Sequence, residues 1–222
     1  MSAHPETIEF KILGSLETRK RDEVLDLGGP KQRALLALLL LNANKVMPVA
    51  QLIDDLWGEA PPETAANTLQ VYVSQLRKIL EPDVRSEKRI LQTISGGYTA
   101  VVEDGQLDLH RFESLLVEGR EAILADELEL ARRQLREALA LWRGPCLAEL
   151  PLHLSGQWAA ARLDELRLAV QEDLIVVELA LGNHGKLVPE LETLVLEHRY
   201  RETLRGHLML ALYRSGRQAD AL

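Results

Sequence analysis

Asn67, Gln70, Ser74 and Lys78 recur at spacings of three and four along the stretch TAANTLQVYVSQLRKILEP, residues 64–82. Wound at 100° per residue they fall with Glu63 on one side of a helix, with Val71 and Arg77 beside them. Amides and hydroxyls are short donors and acceptors that pair with base edges, and Arg and Lys bond guanine or phosphate. The opposite side carries Ala65, Leu69, Tyr72, Val73, Leu76 and Leu80, a stripe suited to a core. An ordinary amphipathic helix with a wet face has the same two sides, so the surrounding elements must decide between the readings.

The other reactive side chains do not gather into a site. The histidines, His4, His110, His153, His184, His198 and His207, are scattered, without the i, i+4 pair and carboxylate of a helical metal motif. Gly28-Gly29-Pro30-Lys31 lacks the first glycine of a phosphate loop and the hydroxyl after its lysine, and it reads as a turn. Asp54-Asp55 and Glu127/Glu129 read as solvated helix faces, and Trp57 and Trp142 as anchors between helices. Nothing in the sequence near Cys146 activates it, so it reads as a small buried side chain. No cofactor, metal or enzymatic chemistry is expected from these residues.

Composition narrows the class. The 222 residues are 46% hydrophobic and 27% charged, which suits one large or two small folded domains. Aromatics make up only 4%, so the core must be built of Leu, Ala and Val, which favours helices. No apolar run reaches the length of a membrane span, and no cationic head leads into an apolar run at the start. One cysteine excludes an intrachain disulfide and a multi-thiolate zinc site, so a reducing cytoplasm is the expected location. The net charge of −8 argues against nucleic acid as a whole-chain property. It is uneven: residues 1–103 hold 12 cationic and 14 anionic side chains, residues 104–222 hold 14 and 20. Local cationic spots occur at Arg19-Lys20-Arg21, Lys31/Arg33, Arg77-Lys78 and Lys88-Arg89.

The elements that must position the polar helix face follow in order. Residues 6–27 read as short strands, with Ile8, Phe10 and Ile12 on one face, a break at Gly14, and a second strand at Val24, Leu25 and Leu27. Residues 31–43 read as an Ala/Leu helix, Val46-Met47-Pro48 as an extended link, and 49–58 as a short helix closed by Gly58. The polar-faced helix then runs from the Pro61-Pro62 pair to Pro82. A hairpin over 89–102 turns at Ser95-Gly96-Gly97. Three helices followed by a hairpin is the order of a winged helix-turn-helix, whose third helix enters the major groove. From Leu107 onward the pattern becomes amphipathic helices alone, with 157–182 read as one long helix or two stacked ones. A weak repeat aligns 179–191 with 210–222, placing Gly185 or Gly216 in a turn, as in tetratricopeptide-like solenoids. The second copy stops about a turn and a half into its last helix, so the chain is expected to be part of a longer protein. The fold class is therefore mainly α with small β: a winged helix-turn-helix domain over 1–103, then an all-helical tetratricopeptide-like domain over 104–222.

The segment LGGPKQRALLALLLLNANKVMPVAQLIDDLWGEAPPETAANTLQVYVSQLRKIL, followed by GGY in the hairpin, resembles the Streptomyces antibiotic regulatory protein family. These are bacterial transcription activators with an OmpR-type winged-helix DNA-binding domain. LDLHRFESLL and ALALWRGPCLAEL resemble the family's bacterial transcriptional activation domain. The resemblance implies binding to double-stranded promoter DNA with direct repeats, a head-to-tail homodimer on that DNA, recruitment of RNA polymerase holoenzyme, and control of antibiotic biosynthesis genes. It implies no membrane partner. Larger members carry an ATPase domain in the C-terminal part. Asn67, Gln70, Ser74, Gln75, Arg77 and Lys78 match groove-facing positions of the recognition helix, and Thr93 and Tyr98 match backbone contacts around the wing. Lys31 and Arg33 stand at a helix N-terminus, where two cations can hold a phosphate. Ser95 and Thr99 occupy places where related wings often carry arginine, and Ser74-Gln75 stand where relatives often have arginines. A single protomer is therefore expected to bind weakly, with pairing on repeats supplying the rest. The competing expectation is a protein-interaction module in which the helical half does the work and the winged fold only docks proteins.

Overall fold

The computed structural model describes residues 8–21, 23–81 and 89–221. The expectations placed on His4, Pro82 and Lys88 lie outside the described residues. The chain divides into two compact units, Met1–Arg111 with Leu141–Asp164, and Phe112–Ala140 with Glu165–Leu222. The sequence division at 103/104 followed the change in helix pattern. Within the first unit, hydrogen bonds join Arg143, Cys146 and Leu147 to residues 12–14, just beyond the first strand.

The first unit opens with an antiparallel sheet of β1 (Ile8–Lys11), β2 (Glu17–Lys20) and β3 (Glu23–Val24), in that order. Phe10 stands opposite Thr18, and both are buried. The sequence pattern ran the second strand through Val24, Leu25 and Leu27. The structure instead makes Glu17–Lys20 the central strand and ends the third at Val24, while Leu27 turns into the core.

Helix α1 (Pro30–Leu41) starts with proline at its first turn and is buried continuously from Ala34 to Leu40. A helix apolar on every side belongs at the centre of a unit, and α1 packs against both α2 (Val49–Trp57) and α3 (Ala65–Leu80). Asn44, at φ 63°, carries the chain out of α1, and its amide donates to the Val102 carbonyl and accepts from the Val102 N–H, at 3.0 and 2.9 Å. Gly58, at φ 63°, ends α2.

The wing is a second sheet, ordered β4 (Met47–Pro48), β6 (Gly97–Ala100), β5 (Leu91–Ile94). The Met47-Pro48 link is thus the third strand of the wing. Gly97 permits it, because a Cβ there would collide with the Met47 carbonyl oxygen. Ser95 and Gly96, the latter at φ 83°, make the two-residue turn between the paired Ile94 and Gly97. The Gly96 carbonyl accepts the Val49 N–H at 3.0 Å, fixing the wing turn to the start of α2.

Residues 104–111 and 141–164 complete this unit. Asp108, at the start of α4 (Asp108–Leu124), accepts the Ile12 and Leu13 N–H groups at 2.9 to 3.0 Å. Burial pushes its carboxyl above the usual carboxylate range, opposed by those N–H groups. The Arg143 and Leu147 N–H groups donate to the carbonyls of Leu13 and Gly14, each at 2.8 Å. Asp55, read as part of a solvated face, is buried at 4% exposure.

The second unit is helical, drawing on parts of α4 and of α6 (Leu154–Ala180), which is one continuous helix, with α5 (Leu128–Ala140), α7 (His184–Glu197) and α8 (Glu202–Arg214). Gly119 on α4 lies so close to Leu135 on α5 that a Cβ would stand 2.8 Å from the leucine methyl. Leu168, Ile175, Leu179, Leu187, Leu191, Leu204 and Leu212 build the core that joins α6, α7 and α8. Gly182 and Gly216, at φ 83° and 80°, close α6 and α8 in the same way. Gly185, which the sequence repeat placed in the turn, lies inside α7, so the structural repeat is offset from the sequence one. Among the described residues no helix is long and apolar enough to cross a membrane.

Candidate nucleic-acid interface

Helix α3 has the two faces its sequence demanded. Ala65, Leu69, Val73, Leu76 and Leu80 are buried, and α3 packs on α1 and α2. Asn67, Gln70, Ser74, Gln75 and Lys78 are all exposed on the other side. Val71 lies among them, also exposed. Burying the four larger side chains, Leu69, Val73, Leu76 and Leu80, at about 1.5–3 kcal/mol each holds the helix against its neighbours, so the polar face needs no contact of its own to stay helical.

Tyr72, which the wheel placed in the core stripe, is half-buried and stacks on Trp57 with ring centroids 6.4 Å apart. Lys31 Nζ stands 5.4 Å over the Trp57 ring and donates to the Leu56 carbonyl. Arg33 pairs with Glu149 at 3.1 Å, and the same carboxylate oxygen accepts the Leu16 N–H at 2.8 Å. Both cations expected to hold a phosphate at the start of α1 thus already have partners within the fold.

Arg77, expected to face the groove, has partners in the wing. It is half-buried, its Nε donates to the Leu91 carbonyl at 2.9 Å, and its Nη2 donates to the Thr93 hydroxyl at 2.8 Å. Glu81, one helical turn on, accepts the Leu91 N–H at 2.8 Å. Thr93 is exposed, as a backbone contact requires. Tyr98 is buried at 7% exposure. Ser95 is exposed at the wing turn, whereas Thr99 points inward and its hydroxyl is buried without a hydrogen-bond partner among the described residues. An arginine at position 99 would have to be accommodated inside the unit.

The structure thus brings Asn67, Gln70, Ser74, Gln75 and Lys78 together on one open surface, with Thr93 tied to the same helix through Arg77. Lys31 and Arg33, half-buried, and Tyr98, buried, are not part of that exposed set. Sequence reasoning missed Glu81. Its only signal was the i, i+4 spacing from Arg77, which marks two side chains on one helix face.

The family model described as the bacterial transcriptional activator domain matches residues 107–222. That described as the C-terminal part of transcriptional regulatory proteins matches 22–100. The chain belongs to the Streptomyces antibiotic regulatory protein family. It is 37% identical to the regulatory protein DnrI of Streptomyces peucetius, over 97% of this chain and 81% of that protein. It is 43% identical to the regulatory protein AfsR of Streptomyces coelicolor, over 97% of this chain but only 21% of the relative. The chain thus spans about a fifth of AfsR. A solved structure of Mycobacterium tuberculosis EmbR in complex with a low-affinity phosphopeptide superposes with a TM-score of 0.89 at 36% identity, over 96% of this chain and 56% of that one. These relatives of the family member are named as regulatory proteins, and none of the names describes an enzyme.

Proposed function

We propose that this family member is a sequence-specific DNA-binding transcriptional activator acting in the cytoplasm. In this reading α3 enters the major groove of promoter DNA. The observation that carries it is the bare outer face of α3: Asn67, Gln70, Ser74, Gln75 and Lys78 exposed together on a helix whose inner face is fully committed. The amides and hydroxyl read base edges, Lys78 holds phosphate or guanine, and Thr93 meets the backbone beside them. With one exposed lysine and no arginine on this face among the described residues, a single protomer has few counterion-releasing contacts. Two protomers arranged head to tail on direct repeats supply the missing affinity. The second unit exposes Leu196, Tyr200, Met209 and Tyr213, which suits contact with protein, and RNA polymerase holoenzyme is the proposed partner. The genes controlled are proposed to direct antibiotic biosynthesis.

Selection of duplexes from a randomised pool, followed by footprinting, tests this. The expected outcome is a recovered motif with two half-sites about 10–11 base pairs apart. Lys78→Ala should lower the slope of log affinity against log salt by about one. Asn67→Ala and Gln70→Ala should relax preference at single base positions by about 1–3 kcal/mol each. The exposed apolar side chains also favour the rival reading, a protein-interaction module alone. That reading predicts that no duplex is retained even at low salt.

A further inference from the structure

Strand β5 is the edge of the wing sheet, with β6 on one side only. An edge strand leaves alternate N–H and C=O groups unpaired. At Leu91 both groups are taken by side chains from the C-terminal end of α3 and its cap: the Glu81 carboxylate accepts the N–H at 2.8 Å and Arg77 Nε donates to the carbonyl at 2.9 Å. Arg77 then reaches one pleat further along the strand, to the Thr93 hydroxyl at 2.8 Å. Arg77 lies in the last turn of α3 and Glu81 caps it, so the helix end presents a donor and an acceptor in the arrangement that a neighbouring strand would. The guanidinium is planar and its Nε and Nη2 point in fixed directions, so these bonds set an angle as well as a distance.

We infer that Arg77 and Glu81 are positioning residues: together they hold the wing at a fixed attitude to the groove-facing helix, and Arg77 does not itself read the operator. This rests on the DNA-binding reading above and alters the role of one residue within it. Docking on a duplex requires α3 and the wing to meet it together. A wing left to pivot must be ordered at the moment of binding, and that ordering lowers affinity without removing a phosphate contact.

The test uses the full chain and a fluorescently labelled duplex recovered by the wild-type chain from a randomised pool. Arg77→Ala is expected to weaken binding roughly tenfold, the scale of newly ordering one or two side chains at an interface, with the salt slope unchanged. Glu81→Ala is expected to weaken it similarly, although removing an acid beside a duplex would by charge alone strengthen binding. Glu81→Gln, which keeps an acceptor for the Leu91 N–H, should bind nearly as the wild type does. In a footprint, both alanine variants should keep the protection under α3 and lose the protection under the wing. In the unliganded chain, amide exchange at Leu91 should quicken in Glu81→Ala and remain slow in Lys78→Ala.

The inference is overturned if Arg77→Ala lowers the salt slope by about one, as a phosphate contact would, or relaxes preference at a single base. It is also overturned if Glu81→Ala binds as tightly as wild type or tighter. A wild-type chain that retains no duplex at low salt sinks the DNA-binding reading itself. That result is distinct from a wild-type chain that binds while the variants fail to behave as stated.

Discussion

The Cys146 thiol donates to the Ile12 carbonyl oxygen at 3.3 Å, joining positions 134 residues apart in the chain. Around that contact Asp108 holds the Ile12 and Leu13 N–H groups, Glu149 holds that of Leu16, and Arg143 reaches the Ser15 carbonyl at 2.9 Å. The turn from β1 to β2 therefore depends on residues that lie beyond the hairpin. A fragment ending at Glu103 loses all of these partners. Each N–H accepted by a carboxylate contributes about 1.5–3 kcal/mol, against a typical total of about 5–15 kcal/mol for a domain. The fragment should unfold at a clearly lower urea concentration than the full chain, with amide exchange at Ile12, Leu13 and Leu16 no longer protected. An unchanged midpoint would show that the wing and three helices are self-sufficient.

The same thiol supplies a chemical readout. Burial, aided by the negative charges of Asp164, Asp108 and Glu149, pushes Cys146 up to about 12. Only the thiolate attacks a disulfide reagent, so at pH 8 the native chain should be inert to one. In urea a single thiol should react, at a rate that tracks unfolding of the first unit. Rapid labelling of the native chain would contradict the buried placement.

The recognition helix was legible because its information is local. Leu69, Val73, Leu76 and Leu80 repeat at helical spacing, and the residues between them face outward whatever the helix packs on. The partners of Lys31, Arg33 and Arg77 were not legible, because each lies distant in sequence: Leu56 and Trp57, Glu149, and Leu91 with Thr93. A cation in a sequence does not announce whether a carbonyl or a carboxylate will meet it first. Asp55 was misread for a related reason, since burial depends on what later segments cover. The repeat glycine was placed at Gly185 when Gly182 makes the turn, because two glycines three residues apart both fit the spacing and only the positive φ separates them.

Committed cations should be silent in DNA binding. The exposed geometry of the Arg33–Glu149 pair limits its worth to about 0–1 kcal/mol of stability, so Arg33→Ala should fold. The double variant Lys31→Ala, Arg33→Ala should melt somewhat lower than wild type yet keep the wild-type salt slope on the selected duplex. A slope reduced by about two would restore a phosphate cradle at the start of α1.

The acid response of the second unit should pass through Glu172. Arg201 grips both of its carboxylate oxygens, at 3.1 and 2.8 Å, and the Thr203 hydroxyl donates to one of them. The Arg201 hydrogen bonds hold the Glu172 carboxyl below its ordinary value of 4.5, with partial burial opposing them. The folded chain therefore stays ionised where the unfolded chain has begun to take up a proton. The resulting stability is fully present above about pH 4.5 and is lost as pH falls through the lowered folded value. Glu172→Gln removes the titration and keeps an acceptor. At neutral pH it should cost about 1 kcal/mol, allowing for the partly exposed guanidinium. The difference in urea stability between wild type and Glu172→Gln should then shrink steadily as the solution is acidified below pH 4.5. A difference that stayed constant down to pH 3, or grew, would mean that Arg201 does not stabilise the ionised carboxylate in the folded chain.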